Sequence, residues 1–283
     1  MALTLAVARH KPWLKTATRS PPGMQPLGAE PWLQRDACFA DQMAYRDRLI
    51  DDPASDSTLM TPDAADGIAS LRDRVLDDLA RDDGYTRAGS VITRPDGVRL
   101  DVDMLPGIDF LGRLVQEDLL LLRKSPGDAE HRLIAGTLCF PSHWRLSEKA
   151  GRPLTAIHGP VPFYAGGLAR RVQRLFDMLR EDTPLWRANW LLYADAELHA
   201  PRSAYAPREG RSAAPAWLRV ERQTLLRLPT GDVVFSIKTE LSPLDSLSPA
   251  EHAALIDALD TLDPAQRAYK GGDALRTHLE AAR

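Results

Sequence analysis

The chain has 283 residues, 44% of them hydrophobic and 27% charged, with a net charge of -3. That length and balance accommodate one large packed domain and exclude global disorder. No lysine or arginine run can follow a phosphate backbone, and no apolar run approaches the roughly 20 residues that cross a bilayer.

Taken in chain order, residues 1–36 carry Pro12, Pro21, Pro22, Pro26 and Pro31 and read as an extended arm. The first residues are interrupted by Arg9, His10, Lys11 and Lys15 and lack the apolar block of a secretory signal, so the expected location is cytoplasmic. Residues 37–116 read as mostly helical. A short amphipathic piece covers 41–51, and 63–81 places Ile68, Leu71, Val75, Leu76 and Leu79 at helical spacing. A weaker helix over 104–115 is interrupted near Pro106 and Gly107.

From about 117 the period becomes strand-like. Leu119–Leu122, a turn at Pro126-Gly127-Asp128 and a run over 133–140 predict a hairpin. Residues 168–180 form a helix with Leu168, Val172, Leu175, Phe176 and Leu179 on one face. Residues 186–193 read as a strand, and 217–228 and 233–239 as two strands about Pro229-Thr230-Gly231-Asp232. The tail from Ser248 is helical, with a serine cap, Pro249 in the first turn and Glu251 three residues on. These elements predict an α+β core, residues 37–243, with the arm before it and a helical extension, 244–283, after it.

The chemistry-bearing residues cluster late. Two cysteines, Cys38 and Cys139, are too few for a disulfide framework or an all-cysteine iron–sulfur cluster. Paired C-x-x-C zinc spacing, a P-loop and a dinucleotide fingerprint are all missing, so electrons for any redox reaction would come from another protein. Cys139, between Leu138 and Phe140, reads as a small core residue.

His158, within Ile157-His-Gly-Pro-Val-Pro162, reads either as a metal or haem ligand or as a buried histidine bonded to a carbonyl. His131 and His143 are its rivals. In Trp217-Leu-Arg-Val-Glu-Arg-Gln-Thr224, alternation puts Arg219, Glu221 and Gln223 on one face and Arg222 among the apolar residues of the other. The polar row is either solvent-facing or the lining of a cavity. In the second case Glu221 can bind a cationic amine, and Arg219 or Arg222 can hold it or an anionic group. Trp186 and Trp190 share one face of their strand, and Arg187 and Asn189 the other.

Taken in order, His131-Arg-Leu-Ile-Ala-Gly, Leu138-Cys-Phe-Pro-Ser, Trp144, Gly151-Arg-Pro-Leu, Ile157-His-Gly-Pro-Val-Pro162, Arg187-Ala-Asn-Trp190 and Arg219-Val-Glu-Arg-Gln-Thr-Leu225 resemble the haem-dependent oxidative N-demethylase family, over roughly residues 37–243. The resemblance implies a PAS-like antiparallel sheet with helices against one face, enclosing haem b. It implies removal of a methyl group from a small secondary amine such as dimethylamine, with O2 as oxidant and formaldehyde as product. Separate flavin and iron–sulfur subunits would pass electrons from NADPH. It further implies His158 as iron ligand, with His131 second, Arg187 and Asn189 beside the cofactor, and Glu221, Arg222 and Arg219 as the distal, catalytic group. The competing readings are a haem-PAS gas or redox sensor and a binding subunit without haem.

Overall fold

The computed structural model describes residues 8–15, 23–103, 107–159, 164, 166–203, 206 and 215–275. Its strands are β1 (Gln25–Pro26), β2 (Thr58–Met60), β3 (Thr86–Ala88), β4 (Val91–Thr93), β5 (Arg99–Asp101), β6 (Asp118–Arg123), β7 (Arg132–Thr137), β8 (Leu185–Tyr193), β9 (Trp217–Arg227) and β10 (Val233–Pro243). Its α-helices are α1 (Phe39–Asp51), α2 (Ala65–Leu79), α3 (Ile108–Leu114), α4 (Leu154–Ile157), α5 (Gly167–Met178), α6 (Pro249–Asp260) and α7 (Pro264–Tyr269).

Seven strands form one antiparallel sheet in the order β1-β8-β9-β10-β6-β7-β2. Its centre is the β9–β10 hairpin, paired over eleven positions from Val233↔Arg227 to Pro243↔Trp217. The expected turn forms there because Gly231 takes φ +85°, a conformation that costs glycine little, and Leu228 N–H reaches Asp232 O at 2.8 Å.

One face of the sheet is closed by two apolar clusters. Under α2 and α3 lie Leu71, Val75, Phe110 and Leu111 with Leu121, Leu226 and Val234. Under the arm and α6 lie Trp13, Leu255 and Leu259 with Trp190, Leu192, Leu218 and Val220. The arm and the tail thus share a core with β8 and β9. The capping box at Ser248 and Glu251 opens α6 as its sequence predicts. The other face carries α4 and α5, whose Leu154 and Phe176 pack on Leu120, Leu133 and Leu225. Helices therefore cover both faces of the sheet, where the resemblance implied one.

Three expectations need correction in detail. The stretch read as mostly helical contains β2 and a separate three-stranded sheet, β3-β4-β5. Its turn, Pro95-Asp96-Gly97, has Gly97 at φ +85°, and Arg94 N–H bonds Val98 O at 2.9 Å. Of β3–β5 only Ile92 is buried, so the apolar alternation is too sparse to announce a sheet. The strand expected to reach residue 140 ends at Thr137, because the Asp118 carboxylate accepts the Cys139 and Phe140 N–H groups at 2.7 and 3.1 Å in place of a neighbouring strand. The helix expected over 104–115 is α3, with residues 104–106 outside the described set.

Candidate functional site

Between the α4–α5 layer and the sheet lies a cavity of about 790 Å³, within the range of cofactor and ligand sites. Its existence follows from α5. That helix carries the predicted apolar stripe, but among its residues only Phe176 is buried; Leu168, Val172 and Leu175 are half-buried and line the cavity, with Val172 and Leu175 packing against the apolar cluster at its margin. Leu120, Leu122 and Phe235 face them from the sheet. The result is an apolar slot with one polar end.

His158 caps the C-terminus of α4 and lines this slot. Its Nδ1 lies 2.9 Å from Leu154 O. A carbonyl only accepts, so Nδ1 carries the proton and donates it, leaving the lone pair on Nε2. Tyr164 stacks on the ring at 4.2 Å between centroids and 13° between planes. Burial pushes the His158 pKa down to about 4, with the charges of Arg187 and Lys149 adding to the effect against the Leu154 bond. A neutral imidazole, oriented through Nδ1 with Nε2 unprotonated, is the state a metal requires. Both sequence readings thus describe the same residue: the carbonyl bond prepares the imidazole as a ligand. Residues 160–162, which complete the motif around His158, lie outside the described residues.

The polar end is built on β8 and β9, whose register sets Arg187 opposite Gln223 and Asn189 opposite Glu221. All four line the cavity. Arg187 Nε donates to Gln223 Oε1 at 2.7 Å, Gln223 Nε2 to Glu221 Oε2 at 3.0 Å, and Arg219 Nε to Glu221 Oε1 at 3.1 Å. Arg219 does not line the cavity. It is fully buried, gives its remaining N–H groups to Leu198 O, Phe140 O and Thr239, and so positions Glu221 from behind.

The structure separates the other two sequence candidates from this group. Arg222 points to the opposite face, where its guanidinium donates to Trp32 O at 2.7 Å and Pro31 O at 2.8 Å. It fastens the arm and does not line the cavity. His131 is buried against Phe176 at 5.3 Å, with Nδ1 3.2 Å from Gln173 Nε2, and is also absent from the cavity wall. The third histidine, His143, does line the cavity, stacked on Tyr193 with Nδ1 2.9 Å from the phenol oxygen.

Two lysines in the wall went unnoticed in the sequence. Lys270 follows α7 and donates to Asn189 Oδ1 at 3.0 Å and Trp190 O at 2.9 Å, with its ammonium 4.5 Å from the Trp190 ring centre. The bond from Leu192 N–H to Lys270 O ties this segment to β8. Burial pushes the Lys270 pKa down to about 7, Arg187 adding to the shift and Glu221 opposing it. Lys149 ends a 3-10 turn, Ser147–Lys149, and is buried. Neither lies in a pattern that periodicity or motif would mark.

Among the described residues, no group of three or more His, Cys, Asp or Glu side chains could hold a metal ion. A metal at this site would have to bring most of its ligands with it. Haem would, because it carries most of the iron's ligands itself, and His158 would be the residue that holds it. A single prepared histidine, an apolar slot and basic groups in its wall fit that cofactor.

A family described as haem-dependent oxidative N-demethylase, alpha subunit-like, matches residues 23–280, and the chain belongs to it. The match takes in residues 23–36 of the arm and 244–280 of the tail, beyond the stretch that carries the sequence motifs. Among individually curated proteins none matches the chain. No helix among the described residues is long and apolar enough to cross a membrane.

Proposed function

We propose that this chain binds haem b through His158 Nε2, in a PAS-like domain, and removes a methyl group oxidatively from a small secondary amine of the dimethylamine type. The observation that carries the reading is the Nδ1–H···O=C bond from His158 to Leu154, which presents a neutral imidazole at an apolar cavity. In balance, dimethylamine, O2, two electrons and two protons give methylamine, formaldehyde and water. When bound, haem supplies the O2-activating centre.

The protein's part is binding, orientation and charge. Glu221 offers a carboxylate whose two oxygens are each fixed by one neighbour, Arg219 behind and Gln223 beside. Remaining lone pairs can accept an N–H from a dialkylammonium, which selects for a cation and directs its methyl groups away from the carboxylate. Arg187 stiffens Gln223 and through it Glu221, and Lys270 holds Asn189, so the polar wall is built of two hydrogen-bonded groups on neighbouring strands. The two electrons come from a separate flavin and iron–sulfur reductase drawing on NADPH in the cytoplasm, in keeping with the family's description as an alpha subunit.

The test is a spectrum. Purified chain reconstituted with haem should show the Soret band of a histidine-ligated haem, and dimethylamine should shift it. His158→Gly should lose that band and regain it with imidazole. A folded wild-type chain that takes up no haem, or a His158→Gly variant with an unaltered band, would remove the basis of the reading.

A further inference from the structure

The cavity wall holds two buried lysines, and they differ in what their ammonium groups touch. Lys270 is saturated: Asn189 Oδ1, Trp190 O and the Trp190 ring surround it. Lys149 is 4% exposed and lines the cavity, and its ammonium has no hydrogen-bond or ion-pair partner among the described residues. Of the charges that act on it, Glu148, its own chain neighbour, favours the ammonium and Arg152 repels it. Burial of an unpaired ammonium is costly, and its pKa is lowered accordingly. Such a cation in a ligand cavity is explained when an anionic ligand supplies the missing partner.

The position narrows what that anion is. Lys149 and His158 line the same cavity. A ligand that fills the apolar slot beside His158 therefore shares that space with Lys149. The arginines that sequence had offered for an anion are already committed, Arg219 to Glu221 and backbone carbonyls, Arg222 to the arm.

We propose that Lys149 is the anchor for a propionate carboxylate of the haem, pairing with it across the cavity and fixing the orientation in which the macrocycle enters. This rests on the haem reading above. The pair forms one charge-assisted hydrogen bond and relieves an unpaired buried cation, so its loss weakens haem binding by about 10- to 100-fold.

The experiment titrates the apoprotein with haem b and with its dimethyl ester, in which both propionates are neutral, following the Soret band. Wild type, Lys149→Met and Lys149→Arg are compared, with far-UV circular dichroism and thermal unfolding of each apoprotein. The expected result is that Lys149→Met loses affinity for haem and keeps the wild-type affinity for the diester, while Lys149→Arg retains most of the preference for haem. Apo Lys149→Met should also be more stable than apo wild type, because the unpaired charge is gone. Equal haem affinity in wild type and Lys149→Met would overturn the assignment, as would an equal loss for haem and diester. Uptake of neither form by the wild-type chain would overturn the haem reading itself, a result distinct from either of those.

Discussion

Glu221 and Arg222 are neighbours in sequence, stand on opposite faces of β9, and serve opposite purposes. On the Arg222 face the sheet is sealed: Leu71, Val75, Leu226 and Val234 are fully buried, and Arg222 satisfies two arm carbonyls. On the Glu221 face α5 meets the sheet through Phe176 and leaves beside it a cavity lined by the rest of its apolar stripe. One face makes the fold and the other leaves room for a guest. The cost of that room is apolar surface without a packing partner and buried charge without full compensation, as at Lys149.

Truncations on the two faces give the largest contrast. Leu71→Ala removes a fully buried side chain from the cluster under α2 and should destabilise the chain by about 2–5 kcal/mol, read by denaturant unfolding. Leu175→Ala, on α5, removes a side chain that already borders a void. Its apoprotein should lose less than about 1 kcal/mol, while its haem affinity falls. Comparable losses of apo stability at the two positions would mean that the cavity face is packed as tightly as the other.

The adjacent pair on β9 sharpens the contrast within one strand. Arg222→Met leaves Pro31 O and Trp32 O without their donors and should cost about 1–3 kcal/mol of stability, with amine and haem binding unchanged. Glu221→Gln should do the reverse. It keeps the shape and most of the hydrogen bonding of the wall, leaves haem loading intact, and lowers the affinity for dimethylamine by about 10- to 100-fold, measured by the amine-induced Soret shift. An unchanged amine affinity in Glu221→Gln would end its role as the ammonium site.

The sequence made one half of this contrast readable. Strict alternation in β9 separates Glu221 from Arg222, and the turn glycine fixes the register of β9 against β10; the register of β9 against β8, which brings Glu221 opposite Asn189 and Gln223 opposite Arg187, has no such turn to announce it. The helical stripe of α5 was equally plain, but periodicity states that a face is apolar and not whether protein or ligand covers it. His158 stood out by its neighbours, whereas the bond to Leu154 that prepares it depends on a single turn of helix visible only in three dimensions. Lys149 and Lys270 were silent. Each sits in a polar segment where an exposed lysine is the ordinary outcome, and only the tertiary fold buries them.

Lys270 offers the finest test of the contrast, since it is where the tail closes the open face along the edge of β8. Its pKa of about 7 in the fold lies well below the usual lysine value of about 10.4. Between these two values the unfolded chain holds a proton there that the folded chain has released, so folding is favoured progressively as pH rises through that window. Below pH 7 both states are protonated and the fold carries the full burden of a buried ammonium. Wild type should therefore gain stability from pH 7 to 10 relative to Lys270→Met, which lacks the titration; equilibrium unfolding of both at several pH values reads the difference. Parallel curves would mean that the ammonium is solvated in the fold and that the tail leaves this end of the cavity open to water. A converging pair, with wild type catching up as pH rises, would show that Lys270 seals the polar wall, with Arg187 and Glu221 setting its charge from within the same cavity.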